Sequence, residues 1–457
     1  MNYKFLPITL LTLLGFSAEA IAQAVAQTPQ LVVSIAVDQL RSDHMEAYAS
    51  LYGKAGLKRL LSEGVVYPNA SYSFRPVDRA SASAAITTGT TPYYNSITGL
   101  EWLSRTTLRP QSILKGDSPT FPTVQIATST LGDELKIATG GLGKVFAFAT
   151  SPECAILSAG HAADGAAWVS SGSWQTAACY EPQNVWLSSY TRQYLPGTDA
   201  NRSVTDIALK CVEQLGIGDD DKTDLLCLGY SVSPTPEGYR QLDSNMEQLM
   251  NGILTKVAAS RVLFVLTSLG TTEEDREDKY AQYHIPTGKF YINRTANLLN
   301  MYLGALHGTA AYVETSFRNQ LFLNHKTIDK KSLDVGLVLR QSQEFLLQIP
   351  GIRNVFTAKQ LLTSDSPLLQ LIRNGFNTER CGDLLIDIAP GWQLINEDTH
   401  TTVTSRASSI PFPIIFFWTY AKPERIMTPV TVDRIAPTVT RAIRIRAPNA
   451  CAAEPLF

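Results

Sequence analysis

The stretch "LVVSIAVDQL", Leu31 to Leu40, limits the possible folds more than any other. It is a run of β-branched and aliphatic residues ending in an acidic one. That is the pattern of a strand buried on both faces with a polar residue at its carboxyl end. Open parallel sheets place their chemistry at such ends. Runs of the same style follow at "KVFAFAT" (144–150), "DLLCLGYS" (224–231), "SRVLFVLTS" (260–268), "DLLIDIAP" (383–390) and "PFPIIFFW" (411–418). Helical patterns lie between several of them, among them "AGLKRLLSEG" (55–64), closed by a glycine, and "SNMEQLMNGILTKVAA" (244–259). This alternation predicts an α/β sandwich: a mostly parallel central sheet with helices on both faces. No repeat, low-complexity tract or linker divides the chain, so residues 27–457 are expected to form a single domain.

Residues 1–26 read as a secretory signal peptide. Lys4 supplies a short positive region and Phe5 to Phe16 an apolar core, followed by small residues at Ala20, Ala22 and Ala26. The apolar stretch is short for a membrane span, and no later segment is long and apolar enough to cross a bilayer. The expected product is a periplasmic or otherwise exported protein with no integral membrane segment after cleavage. A net charge of -2 provides no basic field for nucleic acid, and the short "RAIRIRAP" near the end does not change that. Six cysteines, Cys154, Cys179, Cys211, Cys227, Cys381 and Cys451, contain no CxxC pair, which argues against a zinc ribbon or a thiol redox site. Their even number permits disulfides in an oxidising compartment, and buried free thiols fit equally well.

Several segments together resemble the alkaline phosphatase superfamily, most closely exported bacterial alkaline phosphatases related to type I phosphodiesterase/nucleotide pyrophosphatases. They are "LVVSIAVDQLRSD", "GLKRLLSEG", "ITTGTTPYYNSITGLEW", "TLGDELK", "AILSAGHAADGAAW", "TDLLCLGYS", "DRIAPTV" and "RAPN". The resemblance implies two zinc ions, set about 3.5–4 Å apart in two-metal sites, and a threonine or serine nucleophile at a helix start. About six oxygen or imidazole ligands would come from the ends of several strands.

Position by position, this chain departs from that pattern. Asp38 matches the first ligand. The nucleophile position falls on Arg79, whose guanidinium has no usable lone pair for attack or for zinc. Where an aspartate and a histidine should follow "DLLCLGYS", the chain has "VSPTPEGYR"; where another strand should end in aspartate-histidine, it has Ser268, Leu269 and Gly270. The last histidine position falls near Val403, with His400 three residues away as the rescue candidate for that ligand. Among phosphate-gripping positions, the asparagine is replaced by Leu100, and the lysine and arginine by Ser151 and Glu153. Glu153 reverses the local field where a cation should clamp phosphate. Asp78, Ser81 and Ser83 are the neighbours that could substitute for the nucleophile; their other reading is that the serines cap and pack the turn. His161 is expected to be structural. "GIGDDDKTD" (216–224) lacks the glycine and terminal glutamate of a calcium-binding EF-hand loop and reads as a solvated turn.

These losses predict a catalytically inactive pseudoenzyme without a zinc cofactor and without a catalytic residue, kept as a binding or assembly component, with another envelope protein as partner. The alternative is a metal-dependent phosphomonoesterase or phosphodiesterase with a shifted zinc site on Asp38, Asp78, Ser81 and His400. A third possibility, a serine hydrolase using Ser81 or Ser83, has no GxSxG elbow behind it.

Overall fold

In the computed structural model, the residues described are 28–114, 125–177, 180, 184–272, 282–403, 406–407 and 410–457. The signal-like segment and Cys179 lie outside them. The strands Leu31–Asp38 (β1), Val65–Ser71 (β2), Val145–Ala149 (β3), Gly165–Ser170 (β4), Ser173–Thr176 (β5), Asp224–Ser231 (β6), Val262–Ser268 (β7) and Phe412–Phe417 (β8) form most of a ten-stranded sheet. Its order is β2-β8-β7-β1-β6-β3-β4-β5, with the short strands Glu424–Arg425 and Val430–Thr431 paired to β2. The centre, β7-β1-β6-β3-β4, is parallel throughout, while β8 runs antiparallel to both β2 and β7.

β1 shows why the sheet is buried on both sides. Successive side chains alternate across a strand. Val32 and Ala36 join one apolar cluster, while Leu31, Val33, Ile35 and Val37 join the other. The first cluster is completed by helices Arg79–Thr88, Leu131–Ala138 and Pro152–Ala159, the second by Leu57–Glu63, Ala200–Leu215 and Pro236–Leu254. In chain order these helices are α1 (57–63), α2 (79–88), α3 (131–138), α4 (152–159), α5 (200–215) and α6 (236–254).

Three local outcomes differ from the sequence reading. The helix holding "SNMEQLMNGIL" starts eight residues earlier, at Pro236, because Thr235 caps it by accepting from Gly238 N and proline suits the first turn. Gly64 does close α1, but with φ -94; a Cβ there would lie 2.5 Å from the Leu60 carbonyl oxygen, so close approach, not a left-handed turn, requires glycine. The "DLLIDIAP" run leaves the central sheet altogether. Leu384–Ile388 pairs antiparallel with Gln320–Leu323 and Ile352–Thr357 in a separate four-stranded sheet. An apolar run states burial, not which sheet provides it.

That sheet belongs to the stretch 288–403, which has an apolar cluster of its own around Phe290, Leu299, Leu303, Tyr312 and Leu346. Two helices, Ile292–His307 (α7) and Val335–Leu346 (α8), pack there, beside a three-stranded sheet of Gly288–Tyr291, Trp392–Asn396 and Thr401–Val403. Cys154, Cys211, Cys227, Cys381 and Cys451 are all free thiols, and the first four are buried. No helix among the described residues is long and apolar enough to cross a membrane.

Candidate functional site

The parallel register brings three strand ends together. Asp38 at the end of β1 lies beside Ser231 of β6, and Val37 lies beside Ser268 of β7. The amino end of α2 meets this edge, because Asp78 caps the helix and Arg79 is its first residue. Nη1 of Arg79 lies 3.6 Å from Oδ2 of Asp38, and its Nε lies 2.5 Å from Oε1 of Glu153. Glu153 stands in the first turn of α4 and is almost fully buried. One guanidinium therefore bridges two carboxylates from two different elements. Beneath it, burial first of all pushes the Cys154 thiol up to about 12, with a hydrogen bond to Ser83 pulling the other way.

The neighbouring polar groups are spoken for. The Asp78 carboxylate accepts from Ser81 N at 2.8 Å and from Leu100 N at 2.8 Å, and Asp78 N donates to Ser81 Oγ at 2.9 Å, closing a capping box. The Ser81 hydroxyl is buried and donates within the same turn to Asp78. Ser83 Oγ donates to the Arg79 carbonyl at 2.8 Å. Ser268 Oγ donates to Leu40 O and accepts from Gly270 N.

His400 and His161 lie elsewhere. His400 is exposed in the turn between Trp392–Asn396 and Thr401–Val403, strands of the three-stranded sheet rather than of the sheet that carries Asp38. His161 places Nδ1 2.7 Å from Asp133 Oδ2 and Nε2 3.0 Å from the Ile126 carbonyl oxygen. It lines a hollow of about 560 Å³ with Asp133, Lys136, Thr128 and Ser129. "GIGDDDKTD" forms a turn in which Asp224 accepts from Lys144 N and Gly218 N.

Among the described residues, the donor set at these strand ends does not fit two zinc ions. At the strand ends, Asp38 and Glu153 share a guanidinium, Ser268 stands where the resemblance implies an aspartate, and no aspartate or histidine follows β6 in "VSPTPEGYR". Among the described residues no three or more histidine, cysteine, aspartate or glutamate side chains lie close enough to hold a metal.

Residues 32–409 match the family described as type I phosphodiesterase / nucleotide pyrophosphatase. The chain belongs to that family. It is 24% identical over 545 positions to a protein of Myroides odoratus named a calcium-transporting ATPase, an alignment covering 100% of this chain and 99% of that one. It is 23% identical to alkaline phosphatase PhoV of Synechococcus elongatus, covering 98% of each. The crystal structure of wild-type alkaline phosphatase PafA superposes with a TM-score of 0.79 at 21% identity, over 94% of this chain and 98% of that one. The fold is that of the alkaline phosphatase superfamily. An alignment of 545 positions exceeds the 457 residues here, so that relative carries stretches with no counterpart in this phosphodiesterase-family chain.

Sequence reasoning identified Glu153 as a reversed charge but missed that it holds Arg79. It also missed the cluster around Asp383, which is buried and takes hydrogen bonds from Leu323 N at 2.8 Å and Arg105 Nη1 at 3.2 Å, with His325 Nε2 at 2.9 Å. Asp383 lies 58 residues from His325 and 278 from Arg105, so no local spacing could have signalled it.

Proposed function

We propose that this protein is an exported binding component with the alkaline phosphatase fold that does not carry out two-metal phosphoester hydrolysis, and that its partner is another protein of the cell envelope. One observation carries the reading: the Arg79 guanidinium stands between Asp38 and Glu153, at the helix start where the family resemblance calls for a hydroxyl nucleophile. A cation held there by two carboxylates satisfies charges that would otherwise attract divalent metal. Altered loops at the strand ends of a preserved sheet form a ready binding surface.

A second reading, a metal-dependent phosphomonoesterase or phosphodiesterase with a shifted site on Asp38, Asp78, Ser81 and His400, draws support from the relatives. The PhoV match runs over nearly the whole of both chains, and that relative is named an alkaline phosphatase. Metal analysis of the purified protein, combined with turnover of nitrophenyl phosphate and bis-nitrophenyl phosphate, separates the two. The first reading expects no stoichiometric zinc, no turnover, and none recovered by Arg79→Thr, because the other ligands stay missing. Two zinc ions per chain with activity abolished by Asp38→Ala would establish the second.

A further inference from the structure

A second hollow, of about 500 Å³, lies on the face of the central sheet opposite α2 and α4, where the helix Val185–Gln193 and the chain after it meet α5 and the end of α6. Small-molecule sites commonly have about 300–1,000 Å³. The two walls of this one differ in kind. One is aromatic and aliphatic, formed by Trp174, Tyr190, Tyr194, Leu195 and Pro196. Tyr190 and Tyr194 are four residues apart, and their rings lie against each other with centroids 4.8 Å apart and planes 32° from parallel. Trp186, four residues earlier, backs Tyr190 at 5.5 Å. The rings therefore act as one platform rather than as isolated side chains. The other wall carries Asp206, Lys210 and Glu213 from α5 and Lys256 from just beyond α6. Two carboxylates and two lysines leave this lining without net charge.

The polar groups of the hollow are only partly paired. Glu213 accepts from Lys210 at 2.8 Å and from Lys256 at 3.2 Å, which uses one of three donors on each ammonium. Tyr190 is only 8% exposed, yet among the described residues its hydroxyl has no hydrogen-bond partner. Burial, and after it the Asp206 carboxylate, raise the pKa of that hydroxyl to about 12, so the two walls stand within electrostatic reach of each other. A polar group so well covered and yet unpaired within the protein is left to whatever occupies the hollow.

We propose that the hollow binds a neutral pyranose sugar, with one face of the ring against the aromatic wall and its hydroxyls toward the Tyr190 hydroxyl and the charged wall. A pyranose presents C–H groups on its faces and carries a rim of hydroxyls that both donate and accept, which matches an aromatic platform facing open donors and acceptors. The balanced charge decides between ligands that stack equally well. A nucleotide would also stack, but its phosphates call for surplus cations, and each lysine here is offset by a carboxylate. A wholly apolar ligand would leave the Tyr190 hydroxyl and the lysine donors unpaired. The hollow lies across the sheet from α2, so its ligand is independent of the chemistry at Arg79.

Titration calorimetry and saturation-transfer NMR on the purified full chain test this, with glucose, galactose, N-acetylglucosamine, maltotriose and chitotriose as probes. At least one is expected to bind. A trisaccharide that binds more tightly than its monosaccharide assigns a sugar chain, and equal affinity a single sugar. Tyr194→Ala removes part of the platform at a residue 46% exposed, and is expected to weaken binding at least about tenfold with the thermal unfolding transition retained. Tyr190→Phe keeps the ring and removes only the hydroxyl, with a loss of about threefold or more, and it repeats the test should Tyr194→Ala fail to fold. Absence of binding by every probe, or affinity unchanged in both variants, overturns the proposal. So does adenosine monophosphate that binds more tightly than any of the sugars and loses affinity in Tyr194→Ala.

Discussion

Nε of Arg79 lies 2.5 Å from Oε1 of Glu153, a carboxylate almost wholly buried in the first turn of α4. The amino end of a helix favours a negative side chain, yet burial at this depth needs a partner as well. Arg79 is that partner, and Asp38 draws on the same guanidinium from the other side. Arg79→Ala is expected to destabilise the fold by about 1–3 kcal/mol, less than a fully buried pair would lose because the arginine side chain is partly exposed. Adding Glu153→Gln should recover part of the loss, since a neutral amide costs less to bury unpaired. Urea unfolding of the four-variant cycle measures this, and an Arg79→Ala change within about 0.5 kcal/mol of wild type would mean that the bridge holds nothing.

The turn before α2 is built on Asp78 and Ser81 together, each capping the other's backbone N–H. Asp78 accepts from Ser81 N and from Leu100 N, and so ties the helix start to a loop 22 residues away. Asp78→Ala should cost about 2 kcal/mol, the upper end for a lost cap, and Ser81→Ala about 1 kcal/mol. Because the Ser81 hydroxyl is buried and already donates to Asp78, a fluorophosphonate probe should leave the native protein unlabelled at Ser81. Stoichiometric labelling there, read by peptide mass spectrometry, would revive the serine-hydrolase reading.

The parallel core was legible because β3 and β7 are buried throughout and β1 and β6 at all but one residue each, and continuous aliphatic runs are the direct imprint of burial on both faces. The same imprint misplaced Leu384–Ile388, since composition records how dry a strand is and not which neighbour it bonds. At the site, the identity of Arg79 could be read by position, but its two partners could not. Asp38 and Glu153 lie 41 residues before it and 74 after it, joined only by sheet register and by the packing of α2 on α4. The Asp383 cluster is a stronger case, because its members come from three separate segments and only the finished fold makes them neighbours.

That cluster gives a pH dependence whose sign can be worked out. The hydrogen bond to Asp383 raises the His325 pKa above its ordinary value, more than partial burial lowers it. Burial alone would push Asp383 up, but the bond to His325 and the charge of Arg105 outweigh it, and the carboxyl titrates below its usual range. A group whose pKa is raised on folding contributes stability that is complete below the unfolded value, near 6.5 for histidine, and fades as pH rises through the folded one. The melting temperature of wild type should therefore decline as pH rises through the neutral region by more than that of His325→Gln. Parallel curves for the two proteins from pH 5 to 9 would show that the ion pair contributes nothing.

The thiols offer a test of the core itself. Alkylation requires the thiolate, and burial suppresses it. Burial raises Cys154 to about 12 and Cys381 to about 11, and lifts Cys211 and Cys227 well above the usual range. Cys451 is also raised by burial, but it is only partly covered and lies near the end of the chain. Iodoacetamide applied to the folded protein at mildly alkaline pH should therefore modify Cys451 first among these five, while the other four react only as urea unfolds the sheet. Cys154 and Cys227 face each other's layer between β6 and α4, so their protection should be lost together, in the same transition that fluorescence reports. Peptide mass spectrometry across that transition decides it, and alkylation of Cys154 in the native protein as fast as Cys451 would mean that the packing of α4 on the central sheet is not as described.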